Sequence, residues 1–238
     1  MSKPKKPTFS WHPLTPDRFS DLQTLFGPRG ACGGCWCMTW RLSRQEFHEG
    51  KGAINEARFH LAVMTGPPPG VLLYHEHEPV AWCAIAPRED YPALERSRVM
   101  ARVDDQPVWS VSCFFVRKDW RGKGLTVELL DAATEFAKSQ GATIVEGYPS
   151  VTSKRYADAF VWTGLDTAFA KAGFAEAAKR SPARKIMRKY LTAKAGSKDG
   201  AGATRGSLAK GSKPAKTSSQ ASPKPPRTSK SKKQEKEN

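Results

Sequence analysis

Arg121, Gly122, Lys123, Gly124, Leu125 and Thr126 stand between an apolar run that ends at Val116 and a helical pattern that begins at Leu125. Residues of these types at this point suit an anion. The first N–H groups of a helix have no intrahelical acceptor. Glycine lets the backbone approach a ligand closely. The helix dipole and two cationic side chains then favour negative charge. Three phosphate-binding patterns compete for the stretch. A P-loop needs Gly where Arg117 stands and Ser or Thr where Gly124 stands. A dinucleotide fingerprint needs a third Gly where Val127 stands. The pattern that remains is R-x-x-G-x-G/A, met by Arg121 and Gly124 with Thr126 in the last place; it suits a pyrophosphate.

Two further groups of residues have chemical potential. Glu146 and Tyr148 are two apart in an apolar, strand-like run and so share a face. Cys32, Cys35 and Cys37 lie in "CGGCWCMTWR" with Trp36, Met38, Trp40 and Arg41. Three readings of the cysteines stand. They are zinc ligands with His12 or His48 as a fourth, although no second close pair completes a ribbon. Cys35 or Cys37 is a reactive thiol, although no neighbour argues for a lowered pKa. Or they are small apolar thiols packed against Trp36 and Trp40, the plainest of the three. His75 and His77, and the charges of "APREDYPALERSR", read as solvated turn and loop residues.

The elements that must position these groups follow from periodicity and punctuation. Phe9–Leu14 predicts a strand. Thr15-Pro16-Asp17 opens a helix running to about Phe26. Ser43 with Glu46 makes a capping box for a helix towards Met64, with Gly50 and Gly52 as the weak points in its course. Strands follow at 70–76 and 79–87 as a hairpin, then at 108–116. From Leu125 to Gln140 the apolar residues Leu129, Leu130, Ala133, Phe136 and Ala137 fall on one helical face, and Gly141 ends the helix. A strand at 143–149, a short helix at 164–172 and a last strand at 184–191 complete the order βααβββαβαβ. This predicts a single α/β (α+β) domain with a mixed, mostly antiparallel sheet flanked by helices.

The formal charge of +16 is uneven: Lys194 to Asn238 holds twelve Lys/Arg against three Asp/Glu and carries +9 of it. That segment has one Leu and no aromatic residue, so a disordered tail is expected, with weak, salt-sensitive contact to a polyanion as its functional version. Residues 1–8 read as a flexible basic N-terminus and 9–193 as the domain. No run reaches the roughly 18 apolar residues of a membrane span. With five cysteines and no apolar leader core in residues 1–8, a reducing cytoplasm is the expected setting.

The strand, the R-x-x-G-x-G/A turn and the helix after it resemble the GNAT superfamily of acyl-CoA-dependent N-acetyltransferases. "AKAGF" (Ala170–Phe174) is similar to the Gly-Phe that ends that family's last helix, and the Cys/Trp-rich segment looks like one in a bacterial subset of members. The resemblance implies a GNAT-like sheet with a splayed central strand pair. It implies acetyl-CoA as co-substrate: backbone groups of Phe114, Phe115 and Val116 on the pantetheine arm, and amides of Gly122, Lys123, Gly124, Leu125 and Thr126, with Arg121 and Lys123, on the pyrophosphate. A neutral amine would then attack the thioester, which needs a base or a water chain. Glu146 as base or amine anchor and Tyr148 as proton donor are the expected pair, because Phe169 stands where many members carry a Tyr acid. Trp36, Trp40 and Arg41 are expected to shape the acceptor site. The competing reading is a non-catalytic acyl-CoA-binding or nucleic-acid-associated module that uses the tail.

Overall fold

The apolar runs at 70–75 and 79–87 are too continuous for strands with one wet face. Buried strands covered on both sides read this way. In the computed structural model, which describes residues 7–151 and 161–191 of the unit Met1–Lys194, both runs are indeed covered on both faces. The tail expected at 194–238 and most of the basic N-terminus lie outside the described residues.

Seven strands form one sheet: β1 (Phe9–Pro13), β2 (Gly70–His75), β3 (Glu78–Pro87), β4 (Trp109–Val116), β5 (Ile144–Gly147), β6 (Ala175–Ser181) and β7 (Arg184–Tyr190), in the order β1-β2-β3-β4-β5-β7-β6. Every neighbouring pair is antiparallel except β4 and β5, which run parallel. A parallel pair needs a crossover, usually a helix; here it is α5 (Leu125–Ser139). The helix face expected from its periodicity is the buried one: Leu129, Leu130, Ala133 and Ala137 are fully covered. They pack on Val71, Leu73, Ala81 and Cys83, and α6 (Asp166–Lys171) adds Phe169 to the same core. The opposite face takes α1 (Phe19–Phe26) and α3 (Ala53–Thr65), through Leu22, Leu25, Phe26, Phe59 and Val63 against Leu72 and Trp82.

Three local expectations are corrected. The helix expected from Ser43 to Met64 is two helices, α2 (Arg44–Glu49) and α3, because Gly52 turns the chain at φ +88°. The Ser43–Glu46 capping box itself is formed at both bonds. The residues after Thr15 make a 3-10 turn, Pro16–Arg18, before α1 begins at Phe19. Finally, β6 is a strand the periodicity did not indicate; it is the sheet's exposed edge and pairs only with β7. A one-turn helix, α4 (Pro92–Glu95), sits in the long connection between β3 and β4.

Candidate active site

β4 and β5 pair at only three positions: Trp109 with Val145, Ser110 with Glu146 and Val111 with Gly147. Past Val111 they part. The cause lies on the other side of β4. Ile85 faces Val111 and Ala84 faces Cys113, so Ser112 is an extra residue with no partner on β3. Such a bulge bends the bulged strand and ends or re-aims its pairing. The result is a fork, closed at Val111 and open towards Val116.

Along the open edge three polar groups of β4 already have partners. The Ser112 carbonyl accepts from the Trp40 indole Nε1 at 3.1 Å. The Phe114 amide donates to the Trp162 carbonyl at 2.6 Å. The Val116 carbonyl accepts from Arg121 Nε at 3.0 Å. Backbone groups of successive strand residues face opposite ways, and the Arg117 amide donates to Val80 on β3. Of the three residues expected to present backbone to a thioester arm, Phe114 and Val116 therefore face the fork. Phe115 is turned to β3, and its ring packs on Phe26 at 5.2 Å between centroids.

The glycine-rich turn lies at the fork's open end. Gly122 and Gly124 have φ of +72° and +82°, a left-handed backbone that L side chains rarely adopt. A Cβ at either would meet nothing within 4 Å. The glycines thus serve the backbone path and leave the space above it clear. Gly124 is the N-cap of α5 and no side chain caps the helix there, so its leading amides face outward at the positive end of a fifteen-residue dipole. Lys123 is held by its ammonium 4.5 Å over the Trp120 ring. That ring packs in turn on His75, at 4.7 Å. His75, read from the sequence as a solvated turn residue, thus supports the turn. Leu125 is buried and Thr126 half-buried.

Directly behind the fork's apex is a buried ionic network. Glu146 and Tyr148 are brought together as expected, but among groups the sequence did not indicate. Glu146 Oε1 accepts from the Tyr148 hydroxyl at 2.8 Å and from Arg88 Nη1 at 3.1 Å; Oε2 accepts from Arg188 Nε at 2.7 Å. The Tyr148 hydroxyl also accepts from Arg88, at 2.6 Å, and lies 2.8 Å from the Ser110 hydroxyl. Arg88 goes on to Glu95 and the Met100 carbonyl, and Arg188 to both oxygens of Asp104. Burial, and then the Glu146 charge, push the Tyr148 hydroxyl well above the ordinary phenol range. Arg88, expected on a solvated loop, has no exposed surface. Burying a guanidinium requires partners for its donors, and Arg88 makes four hydrogen bonds, to Glu95, Glu146, Tyr148 and the Met100 carbonyl. No composition signal marks it apart from the surrounding charges.

Trp36 lies in the core, with its ring on Phe19 and Phe26. Trp40 reaches the fork, as described above. Arg41 pairs with Asp90 at 3.4 Å and lies 4.9 Å over the Tyr91 ring. The Tyr91 hydroxyl is buried with no hydrogen bond of normal length, although Ser112 is beside it. Among the described residues no three His, Cys, Asp or Glu side chains are placed to hold a metal, so the zinc reading of Cys32, Cys35 and Cys37 is not supported. All five cysteines are thiols. Burial pushes Cys35 up to about 11 and raises Cys37 well above the ordinary thiol range, and the Cys37 sulfur accepts from the Trp82 indole. Cys35 and Cys37 therefore pack as apolar groups. Phe169, noted as a departure from the Tyr acid of many members of the resembled family, is fully buried and packs on Phe114 and Phe174.

A mixed sheet that forks between two parallel strands is the arrangement of the GNAT fold. The comparison of families agrees: the model of the acetyltransferase (GNAT) family matches residues 36–177, and the chain belongs to that family. Among proteins of curated function none matches. Solved structures similar to this chain include a GNAT-family acetyltransferase from Listeria monocytogenes (10% identity, 77% of this chain and 95% of that one, TM-score 0.46). A polyamine N-acetyltransferase from Drosophila melanogaster is similar at 12% identity (77% and 100% covered, TM-score 0.45). So is an N-acetyltransferase from Thermoplasma acidophilum in complex with coenzyme A (11% identity, 77% and 99% covered, TM-score 0.41). No helix among the described residues is long and apolar enough to cross a membrane.

Proposed function

We propose that this enzyme moves an acetyl group from acetyl-CoA to an amine acceptor by direct attack of the amine on the thioester. The observation that carries this reading is the placement of the Gly122–Thr126 amides, with Arg121 and Lys123, at the open end of a fork whose inner edge is β4 backbone. The diphosphate would rest on those amides and the two cations. Gly122 and Gly124, where a Cβ has open space, leave the room it needs. The pantetheine arm would then run beside β4 from Val116 towards Phe114, as an added strand does.

At Phe114 the reading gains chemical content. Its N–H donates to the carbonyl oxygen of Trp162, and a thioester oxygen beside that carbonyl would share the donor in a three-centre bond. As the amine nitrogen bonds to the acetyl carbon, charge builds on that oxygen and the Phe114 N–H stabilises it. The C–S bond then breaks with its electron pair on sulfur, and the proton lost by the amine balances the thiolate. Glu146 and Tyr148, sealed behind the apex and bonded to Arg88, Arg188 and Ser110, serve in this reading as the anchor that fixes β5 against β4. The amine's proton leaves through water. Trp40 and Arg41, with Asp90, border the acceptor's approach.

The test is calorimetry of the full chain with acetyl-CoA, repeated with Arg121→Glu/Lys123→Glu, followed by thiol release in the presence of a panel of primary amines. Saturable binding that the double reversal abolishes, with amine-dependent thiol release, is the expected result. Binding indifferent to the reversal would remove the turn from the site.

A further inference from the structure

We propose that Trp40 and Trp162 are the residues that limit the acyl group this enzyme carries, closing the inner end of the fork to chains longer than acetyl. The inference rests on the thioester reading above and adds a size limit to it. The direction of the arm follows from the fold. The anion-binding turn comes straight after Val116, at the open end, and the fork closes at Val111. A carrier whose diphosphate sits on the turn therefore points its acyl group towards the apex.

At that apex the two consecutive fork-facing positions of β4 are occupied from the chain's own side. Trp40, from the segment before α2, is fixed by its indole on the Ser112 carbonyl. Trp162, which precedes α6, has its main chain fixed by its carbonyl on the Phe114 amide, and its ring is placed by packing on Trp40. Their rings lie 5.7 Å apart, tilted by 40°, and form one aromatic wall. The other wall is Phe169, 6.0 Å from the Phe114 ring. It is packed so closely that a Cβ on Gly147 would come within 2.2 Å of it and one on Gly164 within 2.9 Å. A longer acyl chain can turn neither way without displacing an anchored ring. Side chains fixed by both hydrogen bonds and packing hold a pocket's shape far better than mobile ones. One surplus methylene in a tight apolar pocket commonly changes recognition by about ten- to two-hundredfold.

The experiment measures dissociation constants of acetyl-, propionyl- and butyryl-CoA by calorimetry, with the full chain and with Trp40→Ala and Trp162→Ala. These readouts need no acceptor. The wild-type chain is expected to bind acetyl-CoA at least about tenfold more tightly than butyryl-CoA, and each variant to reduce that ratio to about threefold or less. Circular dichroism confirms that each variant is folded, and Trp40→Leu replaces Trp40→Ala where the larger truncation fails. Equal binding of the three thioesters by the wild-type chain overturns the inference while leaving the acetyl-CoA reading intact. So does a ratio that folded variants at both positions leave unchanged. Absence of any acetyl-CoA binding overturns both.

Discussion

The Ser110 and Tyr148 hydroxyls lie 2.8 Å apart, bridging β4 and β5 beside the last residues these strands pair. Behind that bridge, Tyr148 donates to Glu146, which two arginines hold. The fork therefore opens from a fixed point. A bulge at Ser112 bends β4 on one side, and a buried charge network pins β5 on the other.

The network sets the first prediction. Glu146→Gln keeps the shape and removes the charge, leaving Arg88 and Arg188 buried with too little compensation. Removing one partner of a buried ion pair typically costs about 3–5 kcal/mol. Tyr148→Phe deletes only a hydroxyl and should cost about 1–3 kcal/mol through the donors it strands. Urea denaturation of the two variants should show Glu146→Gln as the more damaging. If Glu146→Gln were as stable as the parent chain while thiol release fell, Glu146 would be a proton-transfer group and the anchoring role would be wrong.

How much of this was legible in the sequence depended on whether a residue's role was local. The turn at 121–126, the α5 face and the Ser43–Glu46 cap were readable because near neighbours in the chain determine them. The β6 strand was not: "AEAAKRS" has weak strand preference and becomes a strand only because β7 offers it an edge. Arg88 looks like any loop arginine until β5 and β7 supply its partners. Trp162 was invisible as a site residue because its contribution is a backbone carbonyl, which no side-chain pattern announces. The fork itself depends on a one-residue register shift at Ser112, and pairing between distant strands sets that shift.

Gly124→Ala separates conformational cost from ligand contact. The new Cβ meets no protein atom, so the chain pays only for a left-handed alanine, about 1–2 kcal/mol. A diphosphate on the adjacent amides would meet that methyl group. The expected outcome is a small loss in thermal stability with a loss of acetyl-CoA affinity of about tenfold or more, equivalent to about 1.4 kcal/mol. An acetyl-CoA affinity left unchanged in the folded Gly124→Ala chain would mean that the ligand does not approach this glycine.

Acid should weaken the fold through carboxylates held below their ordinary range. A side-chain hydrogen bond from Arg188 lowers Asp104, one from Arg102 lowers Glu89, and the cap with Ser43 lowers Glu46. A group depressed in the folded state contributes its full stabilisation above its unfolded pKa and loses it as pH falls through the folded value. Since unfolded carboxyls titrate near 4, midpoints from thermal melts should be level with respect to these groups between about pH 7 and 5.5 and fall below about pH 4.5. Arg188→Gln should flatten part of the acid limb by removing Asp104's partner. An unchanged acid limb in a folded Arg188→Gln chain would show that Asp104 does not contribute.

The cysteine segment gives the last prediction. Cys32 is exposed, whereas Cys35 and Cys37 are buried, and burial raises both buried thiols far above neutral pH, Cys35 to about 11. Alkylation proceeds through the thiolate, so access and ionisation act in the same direction. With iodoacetamide at pH 8, peptide mass spectrometry should find Cys32 modified first, with Cys35 and Cys37 modified only as the chain opens. Denaturant should equalise the three rates. Prior incubation with zinc should leave the order unchanged, because Cys37 Sγ already accepts from the Trp82 indole at 2.9 Å and points into the core beside it. Protection of all three cysteines by zinc would instead mean that the segment can rearrange into a metal site, and the packed reading of Cys35 and Cys37 would have to be given up.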